Sequence, residues 1–139
     1  LGARVRIATP VGHAPPADLL EVATARAAAG GGSIEVSHAD PRASLPDADI
    51  VYTDVWTSMG QEVERDRRRS AFAGYTVNDA LMASAPAAAR VMHCLPAHPG
   101  EEIDTAWLWG PRSLVERQAA NRLPAARAVL AALVGQWAG

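Results

Sequence analysis

Lysine is missing from this chain: all thirteen basic residues are arginine, and set against fifteen acids they leave a formal net charge of -2. So even a balance creates no field strong enough to argue for nucleic acid or for an anionic membrane surface, and it directs the search for partners to small molecules or other proteins. Cysteine occurs once, at Cys94, which excludes an internal disulfide. No charged-then-apolar leader opens the sequence, and no apolar run approaches the ~20 residues that a spanning helix needs. A reducing, cytoplasmic setting is the expectation. What is present is a chain of 139 residues with 49% hydrophobic content, enough for one domain with a core and too little for two ordinary ones. Leu1-Gly-Ala-Arg-Val-Arg-Ile7 reads as the end of a helix running into a strand, so further chain is expected upstream.

Hydrophobic periodicity divides the rest. Arg4 to Thr9 alternates Val5 and Ile7 with arginines, a β pattern stopped by Pro10 and Gly12. After Pro15-Pro16, Leu19, Leu20, Val22 and Ala23 recur at helical spacing as far as Gly30-Gly31-Gly32, with Asp18 and Glu21 near the positive end of the helix dipole. Ser33 to Ser37 and Asp49 to Val55 are two further β runs, and strand, helix, strand implies a parallel crossover. Gln61 to Ala71 suits an exposed helix whose arginines Arg65, Arg67, Arg68 and Arg69 alternate with acids. Asn78 is placed to cap a helix over Asp79 to Ala85, and Val91 to Leu95 returns to strand. A terminal helix is expected from Val115 to Trp137, kinked or restarted at Pro124, with its cleaner part beyond the proline and Val129, Leu130, Leu133 and Val134 on one face. The prediction is an α/β, three-layer, Rossmann-like fold: a mostly parallel sheet with flanking helices, in which ligands sit beyond the carboxyl ends of the strands.

That rule selects two loops, Asp54 to Gly60 and His93 to Gly100. Asp54 ends an apolar strand, either as a carboxylate needing a cationic or N–H partner or as a cap for the next turn. Ser58-Met59-Gly60 offers a hydroxyl, a run of N–H groups and a residue free to take positive φ, which suits a carboxylate, though an ordinary polar turn would read the same way. Cys94 on an apolar strand is by default a small buried hydrophobe. Its place where the strand runs out, ahead of Leu95-Pro96 with an X-Pro bond open to the cis form, also allows a thiol of lowered pKa acting as proton acceptor or orienting group. His93 and Cys94 are strand neighbours and point to opposite faces, so they cannot pair as base and nucleophile; a cysteine hydrolase would need His98 or another histidine. His93, Cys94 and His98 lack the second ligand pair of a zinc site, so no metal and no cofactor is expected. Gly30-Gly31-Gly32 closes a helix and does not open one, which removes a dinucleotide loop.

Taken together, Asp54-x-x-x-Ser58-Met59-Gly60, His93-Cys94-Leu95-Pro96 and Asn121-Arg122-Leu123 resemble the ornithine carbamoyltransferases in order and spacing. The likeness runs from Thr9-Pro10 to Leu133, almost the whole chain. Aspartate carbamoyltransferases are similar in fold but have His-Pro-Leu-Pro at the Cys94 motif and lack the Ser-Met-Gly loop. The resemblance implies that residues 1–139 are part of the ornithine-binding, C-terminal domain, and that ornithine's neutral δ-amine attacks carbamoyl phosphate to give citrulline and phosphate. By motif, Asp54, Ser58 and Met59 would hold the α-amino and α-carboxylate groups of ornithine. Cys94 would lie beside the δ-amine, the Cys94 and Leu95 carbonyls would accept from the amine or the carbamoyl amide, and Arg122 would reach the carbonyl oxygen or phosphate. The family's Ser-Thr-Arg-Thr, His-Pro-x-Gln and Gly-Asp-x-Asn-Asn motifs do not occur in this sequence. The carbamoyl-phosphate domain is therefore expected to be absent, the isolated chain to be inactive, and the full-length protein to be a homotrimer. Pro99 stands where the family usually has Arg, and Pro124-Ala-Ala-Arg127 where it usually has His-Ala-Gln-Lys. The competing expectation is a non-catalytic remnant that serves as a binding or assembly module.

Overall fold

The computed structural model of the protein describes residues 2–57 and 62–135. Strand β1, Arg4–Ala8, is followed by helix α1, Ala17–Ala29, and by strand β2, Ser33–Ser37, which pairs parallel with β1 from Arg4 opposite Ser33 to Ala8 opposite Ser37. This is the parallel crossover that the spacing predicts. The glycines after α1 make the return possible. Gly31 adopts φ +74°, and a Cβ on Gly32 would stand 2.3 Å from the carbonyl oxygen of Ala3, so only glycine lets β2 start so close to β1. The α1 apolar positions divide: Leu20, Ala23 and Ala27 are half-buried, while Leu19 and Val22 remain 60% and 51% exposed. No residue of α1 is fully buried.

A second parallel pair follows. Strand β3, Ile50–Thr53, pairs with β4, Arg90–His93, with Ile50 opposite Arg90 and Thr53 opposite His93. Between them lie helix α2, Arg65–Ala71, and the short helix α3, Asp79–Met82, whose Asn78 cap accepts from the Leu81 N–H at 2.9 Å, as expected. Two short segments have no periodicity long enough to read from sequence: a 3-10 turn at Pro41–Ser44 and helix α4, Thr105–Leu108. The core is gathered here, from Leu45, Val51, Val77, Leu81, Met82, Val91, Ile103, Leu108 and Val115.

Helix α5 corrects an expectation. It runs unbroken from Val115 to Val134 with Pro124 inside it, and does not restart after the proline. Proline removes one N–H, whose helical acceptor would be the Ala120 carbonyl; Ala120 is exposed, so water can satisfy that oxygen. The helix ends at Gly135, which takes the left-handed conformation suited to a helix stop. The apolar stripe of Val129, Leu130, Leu133 and Val134 is exposed, and Val115 is the helix's one buried residue. No described helix is long and apolar enough to cross a membrane.

Candidate functional site

The register of β3 and β4 constructs the site. Because Thr53 lies opposite His93, the next residues, Asp54 and Cys94, leave the sheet side by side. Side chains alternate along a strand, so Tyr52, Asp54 and Cys94 share one face and His93 takes the other. The Cys94 thiol donates to Asp54 Oδ1 at 2.9 Å, and the same oxygen accepts from the Val55 N–H at 2.7 Å. Asp54 is thus both a local cap and a partner of the second loop. Tyr52 stands behind this pair, its hydroxyl accepting from Gln118 Nε2 at 2.9 Å.

The thiol departs from expectation. Burial pushes the Cys94 pKa up from 9.0, and the hydrogen bond to Asp54 with that carboxylate's charge raises it further, outweighing the Tyr52 contact. The expected lowered pKa is therefore corrected: among the described residues, burial and the Asp54 carboxylate both act against the thiolate. The same geometry opposes a cysteine hydrolase, since the thiol's partner is Asp54 and the His98 ring is directed to Glu102, with Nδ1 3.8 Å from Oε2.

On the opposite face a buried relay shapes the Cys94 loop. The Leu95 N–H donates to His93 Nδ1 at 2.9 Å, so that nitrogen carries no proton and Nε2 does. His93 Nε2 lies 3.2 Å from Glu102 Oε1, to which it donates, and the same oxygen accepts from the His98 N–H at 2.5 Å. Glu102 and His93 are both essentially sealed from solvent. The relay holds Leu95 at φ +58°, followed by a cis Leu95-Pro96 bond.

Helix α5 closes the third side. Gln118 Oε1 accepts from the His93 N–H at 3.2 Å while its Nε2 reaches Tyr52, so one side chain ties α5 to both strands. One turn later, Arg122 lines a cleft of ≈ 380 Å³ together with His93, Cys94, Leu95, Gln118 and Ala119. Arg122 is exposed and makes no ion pair among the described residues. Ser58 and Met59 lie outside the described residues.

The sequence matches the family model for the Asp/Orn binding domain of aspartate/ornithine carbamoyltransferases over residues 1–133. The chain belongs to this family. It is 49% identical over 138 residues to an ornithine carbamoyltransferase of Acidothermus cellulolyticus, covering 99% of this chain and 44% of that protein. It is 51% identical over 135 residues to one from Parasynechococcus marenigrum, covering 97% and 42%. Among solved structures, the anabolic ornithine carbamoyltransferase of Campylobacter jejuni superposes with a TM-score of 0.88 at 32% identity, over 97% of this chain and 44% of that one. The Pyrococcus furiosus enzyme gives 0.83 at 38%, over 93% and 48%. The chain thus spans less than half the length of these relatives, and the α/β fold with parallel strands agrees with theirs.

In this Asp/Orn binding domain, the structure brings Asp54, Cys94, Leu95 and Arg122 to one end of the second strand pair. Sequence reasoning missed two residues that build the site. Gln118 carries a signal in hindsight, standing one helical turn before Arg122 on the same face. Glu102 carries none, because neither burial nor its partner His93 can be read from a Gly-Glu-Glu run.

Proposed function

We propose that this domain binds L-ornithine and that the protein it belongs to transfers a carbamoyl group from carbamoyl phosphate to the δ-amine, yielding L-citrulline and phosphate. The carrying observation is the 2.9 Å contact between Cys94 and Asp54, which joins the two loops expected to hold the two ends of one small amino acid. Relatives at 47–51% identity that carry the ornithine carbamoyltransferase name support this substrate. The fold alone does not select it: an N-acetyl-L-ornithine transcarbamylase structure superposes with a TM-score of 0.80 at 27% identity.

In this reading Asp54 takes the α-ammonium through its second oxygen, Oδ1 being occupied by Val55 and Cys94. Ser58 and Met59 supply donors for the α-carboxylate. With its pKa raised, the Cys94 thiol orients the amine and does not remove its proton. The carbonyls of Cys94 and Leu95 accept from the amine and the carbamoyl amide, held in place by the Leu95–His93–Glu102 relay. Attack of the amine on the carbonyl carbon forms a tetrahedral oxyanion. Arg122 compensates its charge; phosphate then leaves as the C–O bond breaks, and the proton lost by the amine ends on phosphate or solvent. The phosphate-binding groups come from a carbamoyl-phosphate domain outside residues 1–139, and the whole assembles as a cytoplasmic homotrimer.

The test is citrulline production by the protein of the relatives' length. Arg122→Ala is expected to cost ~100-fold or more in kcat/KM, the scale of one lost oxyanion donor. Absence of citrulline with the unaltered protein overturns the reading. Calorimetry of the 139-residue chain with ornithine or norvaline, with and without a complementary carbamoyl-phosphate domain, separates an ornithine-binding half from an assembly module.

A further inference from the structure

Beyond the relay, the loop that follows the Cys94 segment gathers a second set of ligating groups. His98 Nδ1 lies 3.8 Å from Glu102 Oε2, and one ligand atom each of His98, Glu101 and Glu102 falls within 4.8 Å of the others. A tight turn produces this convergence: the Glu101 N–H donates to the His98 carbonyl at 2.9 Å and the Gly100 N–H to that of Ile103 at 2.9 Å. Carboxylates placed together are common on surfaces and do not by themselves make a site. Here, however, Glu102 is fully buried, and its Oε2 has no hydrogen-bond partner although Oε1 has two. A buried carboxylate oxygen left unpaired has lost its hydration with nothing to replace it. This one is aimed at an imidazole that is half open to solvent, with a side-chain exposure of 46%.

We propose that His98, Glu101 and Glu102 form a binding site for a divalent first-row transition ion, distinct from the amino-acid cleft. A nitrogen with two carboxylate oxygens is a ligand set that zinc and cobalt accept, and that magnesium, which prefers all-oxygen octahedra, does not favour. Ligands about 2.1 Å from a tetrahedral ion stand about 3.4 Å apart, so the widest of these separations must close by little more than an ångström. Rotation of the exposed His98 ring closes its own distances to the two carboxylates. The open side of His98 leaves room for a water ligand. Glu102 coordinates through Oε2 alone, so Oε1 keeps its bonds to His93 and the His98 N–H. Arg65 is the opposing charge, because it pairs with Glu101 and competes with the ion for that carboxylate.

The probe is Co2+, titrated into the 139-residue chain carrying Cys94→Ser so that no thiolate contributes, and followed by its visible ligand-field bands and by calorimetry. The expected result is one ion per chain, not displaced by a hundredfold excess of Mg2+. Binding should weaken by about 100-fold or more in His98→Ala and remain unchanged in His38→Ala. Arg65→Ala should tighten it about threefold, as removal of one positive charge several ångströms away in a solvated setting implies. His98 and Arg65 are both exposed enough that these variants should fold, which circular dichroism checks. Absence of binding, or binding that survives His98→Ala, overturns the proposal. So does a pH-dependent His98 shift in NMR without any response to Co2+, which would make the cluster a simple His–Glu ion pair. The outcome is independent of whether the protein makes citrulline.

Discussion

The two parallel strand pairs are built from similar sequences and have different surroundings. In β1–α1–β2, residues 2–44, Thr9 is the one buried side chain among those described, whereas β3, β4 and the segments around them contain all of the buried hydrophobic core. Both pairs come from alternating or apolar runs of similar length, so the difference lies in what covers them. The first pair has α1 on it and little else; α3, α4 and the start of α5 surround the second. The first pair is tied to the rest by polar and aromatic links: Arg6 to Asp47, and His13 edge-on to Phe72 at 5.0 Å. The candidate site, which needs side chains held in place, lies on the buried pair. Tertiary packing, more than strand propensity, makes a strand end rigid enough to position chemistry.

That contrast can be broken by core truncation. Ile103→Ala, at a fully buried position, is expected to cost ~2–5 kcal/mol in urea denaturation. Leu19→Ala, on the exposed side of α1, should stay within ~0.5 kcal/mol. Equal costs would mean that the first pair is buried in solution by something else. A smaller loss, ~1–3 kcal/mol, is expected for Glu102→Ala, which orphans His93 Nε2 and the His98 N–H. The same variant should speed hydrogen exchange at the Leu95 amide; unaltered exchange there would argue against the relay.

Hydrogen exchange sharpens the contrast further. Amides of β3 and β4 should be the slowest set and those of β1 and β2 measurably faster, and equal protection would contradict the difference in packing. The smallest effect concerns the thiol alone. Its alkylation rate should rise with pH about a midpoint above the ordinary thiol value, because burial and Asp54 both disfavour the thiolate. Asp54→Asn removes the negative charge, so the midpoint should fall and alkylation at a fixed mildly alkaline pH should quicken. A midpoint that does not move would separate Cys94 from Asp54.

Much of the fold was legible because its signals are local. The parallel crossover followed from a period-2 run, a period-3.6 run and a glycine stop, and the Asn78 cap from one side chain before a short apolar stretch. Helix α5 through Pro124 was not legible, since proline's local cost of ~3 kcal/mol can be exceeded by a helix of 20 residues anchored at Val115. The exposed apolar face of that helix was not legible either: periodicity identifies a stripe but not whether anything lies against it. At the site, Asp54, Cys94, Leu95 and Arg122 stood out through motif and strand-end position, while Gln118 and Glu102 did not.

The sequence by itself determined that the chain is an α/β unit with its candidate site residues at two strand ends, because hydrophobic period, turn residues and motif spacing act over a few residues at a time. Tertiary structure alone decided that Asp54 and Cys94 touch, since only the Thr53–His93 register sets the two loops side by side. It also decided the thiol's raised pKa and the buried Glu102–His93 pair, because desolvation and the proximity of a charge distant in sequence exist only once the chain has folded.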